Sequence, residues 1–419
     1  MKVELKCISC GAVFPPSMVI YTCPKCGSLL DVVLSLDELQ GVVSWNVFRA
    51  RCFNVWRYRE LLPVFDDSKI VSLDEGGTPL IKCDRLAKWV GARSLYIKFE
   101  GANPTGSFKD RGMTVGVTKA LEYGAKAVAC ASTGNTAASM AAYAARAGLK
   151  AIIILPWGKV ALGKLAQAVM HGAEVVGIEG NFDQALAIVR SLSERHGIYL
   201  LNSVNPWRLE GQKTVAYEII DQLGGAPDFI ILPMGNCGNI SALWKGLKEL
   251  LELKLVDRAP RLVGVQATGA SPVVDMFKSG SEVFKPVENP ETVATAIRIG
   301  NPVNWSKAIR ALRESDGLAE KVTDEEIIKA QQMIACLEGL GVEPASAASI
   351  AGLKKLVEEG SLDANSTVVC ICTGHLLKDP EQAVRASRQP LKVKAELDEV
   401  ERALSYIIST AHALPLPSS

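Results

Sequence analysis

Short uninterrupted apolar runs recur along the chain, each followed by a longer stretch whose apolar residues return every three or four positions. Runs at 94–100, 126–131, 151–155, 174–178, 228–232, 262–266 and 367–372 are β-branched or continuously apolar, the pattern of strands covered on both faces. The stretches 112–123, 136–147, 182–196 and 239–251 are amphipathic or alanine-rich and predict helices. Strands alternating with helices imply an α/β fold of parallel sheets with helices on both sides. At 419 residues, and about 100–200 residues per domain, two sheets meeting at a cleft are expected rather than one. Two flanking regions break the pattern. Residues 1–45 carry two cysteine pairs and short strand-like runs, and 45–70 are rich in aromatics (Trp45, Phe48, Phe53, Trp56, Tyr58), as in a segment packed on a neighbour. The end, 412–419, holds two Pro and two Ser and reads as a loose tail.

Composition narrows the class. Hydrophobic residues make up 48% of the chain, too many for a disordered protein. Lys and Arg number 46 against 45 Asp and Glu, a net charge of +1, which argues against a broadly basic nucleic-acid binder. No apolar run approaches the ~20 residues that span a bilayer, and Met1 to Lys6 alternates charged with apolar residues instead of forming a signal peptide. A cytoplasmic protein with no membrane partner is expected. The 11 cysteines are an odd number, against a complete disulfide framework.

Four cysteines form a motif. Cys7-Ile8-Ser9-Cys10-Gly11 and Cys23-Pro24-Lys25-Cys26-Gly27 are C-x-x-C-G knuckles with twelve residues between Cys10 and Cys23. Two thiolates at this spacing converge on one ion, and four make a closed tetrahedral site suited to structural Zn2+. Cys7, Cys10, Cys23 and Cys26 are therefore candidate metal ligands. The alternative is two unrelated pairs in a small strand unit. Only Lys2, Lys6 and Lys25 are basic here, so a structural or interface role is favoured over nucleic-acid binding. The other seven, Cys52, Cys83, Cys130, Cys237, Cys336, Cys370 and Cys372, are expected mostly as small buried hydrophobes.

Three loops carry candidate chemistry. Asn103-Pro104-Thr105-Gly106-Ser107-Phe108-Lys109-Asp110-Arg111-Gly112 joins a predicted strand to a helix expected from Gly112. Lys109 falls at a helix N-terminus, where the macrodipole disfavours positive charge, and a neutral amine is what imine chemistry needs. Alone, it reads equally as a surface lysine in a capped turn. Ser132-Thr133-Gly134-Asn135-Thr136 offers hydroxyl and N–H donors at a second helix start. Gly235-Asn236-Cys237-Gly238-Asn239 is glycine-rich, so its successive N–H groups can nest a phosphate. One such loop is unremarked in any α/β protein. Three at the C-terminal ends of strands coincide with where ligands bind in open sheets. Cys372-Thr373-Gly374-His375 ends the last strong strand: Thr373 offers a hydroxyl to a ring nitrogen, and His375 is expected to be structural. By contrast, 158–165 matches G-x-x-x-x-G-K but ends in Leu165 where a nucleotide loop needs Ser or Thr.

Together, the segments 103–112, 132–136, 235–239 and 373–378 resemble the threonine synthases, fold-type II enzymes that use pyridoxal 5′-phosphate. The resemblance runs from about Ser72 to Pro380 and includes Gly76-Gly77-Thr78-Pro79-Leu80, Leu201-Asn202-Ser203-Val204-Asn205-Pro206, Ala296-Ile297-Arg298-Ile299-Gly300-Asn301-Pro302 and Glu343-Pro344-Ala345-Ser346. It implies two parallel-sheet lobes of tryptophan synthase beta-like architecture plus an N-terminal ribbon. The boundaries expected are 1–45 for the ribbon, 46–104 with 206–395 for a large lobe, 105–205 for a small lobe, and 396–419 for a helix and tail. It implies that Lys109 binds the cofactor covalently and shuttles protons, and that Asn135 bonds its 3-oxygen. Gly235, Asn236, Cys237, Gly238 and Asn239 would hold its phosphate, and Thr373 would face its ring nitrogen. Ser132, Thr133, Thr136, Asn202, Ser203 and Arg208 resemble the residues that recognise substrate carboxylate and phosphate. Cys237 stands where alanine is frequent and Leu376 where glycine is.

The implied reaction turns O-phospho-L-homoserine and water into L-threonine and phosphate, the last step of threonine biosynthesis, in a homodimer. Neighbouring activities are a threonine or serine dehydratase, which would release ammonia, and cysteate synthase, which would use phosphoserine and sulfite. An interaction protein on a catalytically dead scaffold is the remaining alternative. The Ser107-Phe108-Lys109-Asp110-Arg111 and Thr373-Gly374-His375 runs favour threonine synthase.

Overall fold

The apolar runs pair into three sheets. The computed structural model describes residues 2–132, 134–157, 162–180, 182–387 and 390–410. Near the N-terminus lie β1 (Val3–Cys7), β2 (Val13–Phe14) and β3 (Leu30–Leu34). A large sheet uses β4 (Leu80–Lys82), β5 (Ser94–Phe99), β10 (Phe229–Pro233), β11 (Arg261–Ala267), β12 (Leu318–Val322) and β13 (Thr367–Cys372). A smaller one uses β6 (Ala127–Ala131), β7 (Lys150–Pro156), β8 (Glu174–Ile178) and β9 (Tyr199–Leu200). The orders are β2-β1-β3, β12-β11-β10-β13-β5-β4 and β8-β7-β6-β9. The first is antiparallel. The other two are parallel throughout, except that β4 runs antiparallel to β5 at one edge.

All seven predicted strands form, and three more join the large and small sheets. β4 and β9 are too short to show a pattern. β12 reads Leu-Ala-Glu-Lys-Val, and its charge hides it: Glu320 is buried and paired with Lys278 and Lys355. β13 lies between β10 and β5, with Cys372 opposite Phe99. The C-terminal ends of the central strands therefore share one edge, and the loops after β5, β10 and β13 open there.

Glycine sets how two site-bearing helices approach. A Cβ on Gly211 would lie 1.7 Å from the Arg111 carbonyl, and one on Gly116 would lie 3.1 Å from Arg208 Cγ. Helix Lys109–Glu122 therefore packs backbone to backbone against helix Trp207–Gln212. The alanine-rich helix Asn135–Arg146 buries Ala137, Ala138, Ala141 and Ala144, whose small side chains permit equally close packing.

The N-terminal ribbon is held by both sheet systems. Tyr123 Oη donates to the Pro16 carbonyl at 2.7 Å, and the Leu200 N–H donates to Tyr21 Oη at 2.8 Å. Lys307 donates to the Leu30 carbonyl at 2.8 Å and to Asp31 at 2.5 Å. The aromatic segment packs as expected: Phe48, Tyr58 and Tyr217 meet edge to face with centroids 5.2 Å apart, and Trp45 Nε1 donates to the Leu255 carbonyl at 3.0 Å.

The chain divides into a body ending at Pro380 and a C-terminal unit from Glu381. That unit contains helix Leu397–Thr410, with Leu397, Val400 and Leu404 exposed. The tail at 412–419 and residues 158–161 of the nucleotide-loop near miss lie outside the described residues. No described helix is long and apolar enough to cross a membrane.

Candidate active site

The loop after β5 is stitched to the end of β13. Phe108 N–H donates to the Thr373 carbonyl at 3.0 Å and His375 N–H to the Gly106 carbonyl at 2.9 Å, and Ser107 bridges Gly374. These bonds fix the turn from which Lys109 projects. The helix begins at Lys109, not at Gly112 as the sequence suggested. Asp110 anchors the same turn, accepting from Thr105 N at 2.7 Å, Thr105 Oγ1 at 2.6 Å and Ser139 Oγ at 2.5 Å.

Two residues after Lys109, Arg111 is wholly buried between Glu100 and Glu218, with four contacts of 2.6–2.8 Å. Lys98 donates to Glu218 at 2.7 Å. The neighbouring cations hold the Glu218 carboxyl down at about 2, against burial, which acts to raise it. Removing one partner of such a set strands a buried charge, at a typical cost of about 3–5 kcal/mol. The network thus locks the helix of Lys109 to β5 and to helix Thr214–Leu223.

Lys109 is half-buried, and its ammonium stands 4.2 Å from the Phe108 ring centroid. Its pKa is lowered to about 7, first by loss of water and then by the positive charge of Arg208, with Glu343 opposing. The shift expected from the helix dipole is present, but burial and Arg208 are its causes. Arg208 is itself 2% exposed, and its Nε and Nη2 have no hydrogen-bond partner among the described residues. Burial brings its pKa down to about 10. A desolvated guanidinium with unused donors beside a lysine is a site prepared for an anion.

The glycine loop follows β10. Cys237 has φ 62°, in the left-handed region, and forms the N-terminal boundary of helix Gly238–Glu252. A non-glycine residue there costs on the order of 1 kcal/mol and turns successive N–H groups to one side. The N–H groups of Gly235 to Asn239 make no backbone hydrogen bond among the described residues. A Cβ on Gly235 would stand 3.0 Å from the Ala296 carbonyl, and Asn239 Nδ2 is buried without a partner among the described residues. These donors fit the phosphate of pyridoxal phosphate, and Lys109 fits its aldehyde.

The remaining residues divide between direct and supporting positions. Asn135 opens its helix half-buried, and its Nδ2 donates to both Glu343 oxygens at 3.2 and 3.0 Å. Thr373 Oγ1 reaches Glu343 Oε1 at 3.3 Å. Ser132 and Thr136 are half-buried, and Ser132 Oγ accepts from Gly134 N at 3.3 Å. Thr133 lies outside the described residues. Asn202 bonds Ala131 through both polar atoms, at 3.0 and 2.9 Å, and so holds the strand end leading to Ser132. The Ser203 carbonyl accepts from Asn304 Nδ2 at 3.2 Å. His375 is structural, with Nδ1 accepting from Leu377 N at 3.1 Å. Glu343 had no role in the sequence reading, although it lies in a motif that carried the resemblance.

The sulfurs of Cys7, Cys10, Cys23 and Cys26 lie within 4.8 Å of one another. Cys7 and Cys26 are 3.4 Å apart, and Cys10 and Cys23 are 3.7 Å apart. Of the other seven cysteines, five are buried as expected, but Cys52 and Cys336 are exposed.

A family model described as pyridoxal-phosphate dependent enzyme matches residues 71–374. Threonine synthase of Methanocaldococcus jannaschii is 56% identical over 96% of this chain and 99% of its own length. That of Methanosarcina acetivorans is 57% identical over 96% and 98%. Among solved structures, maize serine racemase aligns at a TM-score of 0.62 with 21% identity, over 80% of this chain and 93% of that one. The processed form of threonine deaminase isoform 2 from Solanum lycopersicum aligns at 0.63 with 23% identity, over 74% and 83%. Those two likenesses bear on the fold, which is that of fold-type II pyridoxal-phosphate enzymes with two parallel-sheet lobes. Read with the lysine turn, the glycine loop and the buried arginine, the sequence matches place the chain in the pyridoxal-phosphate dependent enzymes and, within them, in the threonine synthase family.

Proposed function

We propose that the protein converts O-phospho-L-homoserine and water into L-threonine and phosphate. The observation that carries this reading is Arg208, a buried guanidinium with two nitrogens unpaired among the described residues, beside a lysine whose pKa lies near 7. An unphosphorylated dehydratase substrate would leave that charge uncompensated. The small lobe is taken as 105–205, inserted between 46–104 and 206–395 of the large one.

Pyridoxal phosphate, when bound, supplies an electron sink for carbanions formed on the substrate. Gly235, Asn236, Cys237, Gly238 and Asn239 would hold its phosphate by their N–H groups, and Lys109 would hold its aldehyde carbon. Asn135 and Thr373 would orient its ring. As a neutral amine, a form that burial and Arg208 keep accessible, Lys109 would take the Cα proton of the substrate. Arg208 receives the phosphate as the Cγ–O bond breaks and stabilises its charge where little water competes. Ser132, Thr133, Thr136 and Ser203 bind the substrate carboxylate and phosphate, with Asn202 holding the strand end. Overall a proton leaves Cβ, Cγ gains one, and water adds its hydroxyl at Cβ. Lys109 returns the Cα proton and releases L-threonine.

The test follows phosphate and threonine together after adding phosphohomoserine to the purified, cofactor-loaded protein. Equal amounts of both are expected. Phosphate without threonine, or ammonia in its place, would overturn the reading.

The four clustered cysteines are taken to hold a structural Zn2+. Zn–S bonds of about 2.3 Å in a tetrahedron place the sulfurs about 3.8 Å apart, close to the spacings of this cluster. Freshly purified protein should contain one zinc per chain, and a strong chelator should lower its Tm. Metal-free protein with an unchanged Tm after chelation would remove the assignment. The same reading places a homodimer in the cytoplasm, with no nucleic-acid partner, which the near-neutral charge supports.

A further inference from the structure

Glu343 is 4% exposed and stands among the residues assigned to the cofactor ring. Its two carboxylate oxygens share the donation from Asn135 Nδ2, and one of them touches the Thr373 hydroxyl. Room for it comes from Gly374, where a Cβ would lie 2.5 Å from Glu343 Oε1. Its backbone is held by a bond from Glu343 N to the Gly374 carbonyl at 3.0 Å, just before Pro344 opens helix Pro344–Glu358. We propose that Glu343 is the proton-holding partner of Thr373, so that the Thr373 hydroxyl relays between this carboxyl and the cofactor's ring nitrogen. The inference rests on the reading that Asn135 and Thr373 face that ring.

The count of hydrogens makes the case. Thr373 has one hydroxyl proton and two lone pairs. Its contacts are Glu343 Oε1 at 3.3 Å and Ser346 Oγ at 3.2 Å. Ser346 Oγ already accepts from Gly374 N at 2.9 Å and lies 3.2 Å from the Gly374 carbonyl as a donor. An ionised Glu343 only accepts, so it takes the Thr373 proton. Thr373 can then only accept from the ring, which requires a proton on the ring nitrogen. A neutral Glu343 donates instead, and the Thr373 proton is free for a bare ring nitrogen. Passing from the first state to the second breaks one N–H bond and forms one O–H bond at Thr373. At the same time one O–H bond breaks at Thr373 and one forms at Glu343. The ring loses its positive charge as Glu343 loses its negative one, so total charge is conserved.

The carboxyl faces groups of both kinds. Burial raises its pKa above the ordinary carboxylate value, against the bonds from Asn135 and Thr373 and the charges of Lys378 and Lys109, which favour the ionised form. The Cys372 thiol lies close enough to feel its charge, and the His375 ring is turned to the Leu377 N–H. A threonine at the ring nitrogen is expected to leave that nitrogen weakly polarised. With Glu343 behind it, the nitrogen instead gains access to a full proton, and the ring becomes a stronger electron acceptor.

The test loads the enzyme with ring-15N pyridoxal phosphate and follows the nitrogen shift and the visible spectrum against pH. In the wild type the nitrogen and Glu343 share one proton over the middle of the pH range, so the nitrogen should show a shift between the protonated and unprotonated values there and reach either limit only as the pair gains or loses a proton. In Glu343→Gln it should stay in one state, with a pH-independent spectrum, an unchanged Tm and turnover reduced at least about tenfold, the size of one unit of proton affinity. Thr373→Val, which cuts the relay and keeps the carboxyl, should freeze the nitrogen in the same way. A nitrogen in either variant that follows the wild-type curve at every pH overturns the proposal. The site reading fails separately, if Lys109→Ala keeps the cofactor's bound spectrum.

Discussion

Lys109→Ala should give a folded protein with no measurable turnover and no visible band from covalently held cofactor. Lys378, which also acts on Glu343, is occupied by the Thr105 carbonyl at 3.0 Å and Gln167 Oε1 at 2.6 Å. Stability should change little, because the Arg111 network and the bonds from residues 106–108 to β13 hold the turn without the lysine side chain. Absorbance after dialysis against free cofactor checks the first point, and circular dichroism the second. A variant that still makes threonine would refute the mechanism. The wild type should also show a pH signature as it takes up cofactor. Only the neutral amine attacks an aldehyde, and its fraction rises as pH climbs through a pKa of about 7. Reconstitution should therefore accelerate with pH and level off above that value. Against an ordinary lysine at 10.5, the acceleration would continue well into alkaline solution.

Arg208→Met should move stability and activity in opposite directions. The guanidinium is buried, two of its nitrogens are unpaired among the described residues, and desolvation lowers its pKa. An apolar side chain of similar length removes that penalty, so the Tm of the variant should rise. Its kcat/KM for phosphohomoserine should fall about 10²–10³-fold, the usual loss when a donor to developing negative charge is deleted. A purely structural arginine would show the reverse, with a lower Tm and a modest effect on rate. Inorganic phosphate sharpens the distinction. It should raise the Tm of the cofactor-loaded wild type by mass action and leave that of the variant unmoved. Equal stabilisation of both would show that Arg208 does not receive the anion.

Local signals announced the lysine turn and the glycine loop because both are made of contiguous residues. Pro104 and Gly106 end one strand, and Gly235 and Gly238 frame a helix start, features that turn chemistry makes readable without a fold. The strand β12 was missed for the opposite reason. Its Glu and Lys look solvent-facing until Lys278 and Lys355, from distant parts of the chain, are seen around Glu320. The start of the lysine helix was misplaced because nothing local marks Lys109 as its first residue; the antiparallel stitch to β13 does.

The alternation of apolar runs and helical stretches, the four-loop set of motifs and the paired C-x-x-C knuckles were legible from residue order alone. Each depends on neighbours along the chain, whose spacing is covalent. Other properties exist only in three dimensions. Lys109 is kept near neutrality chiefly by the walls around it and by Arg208, 99 positions away. Glu343 meets Asn135 and Thr373 across separations of 208 and 30 residues. Charge in a desolvated space acts through distance and dielectric, and folding alone sets both.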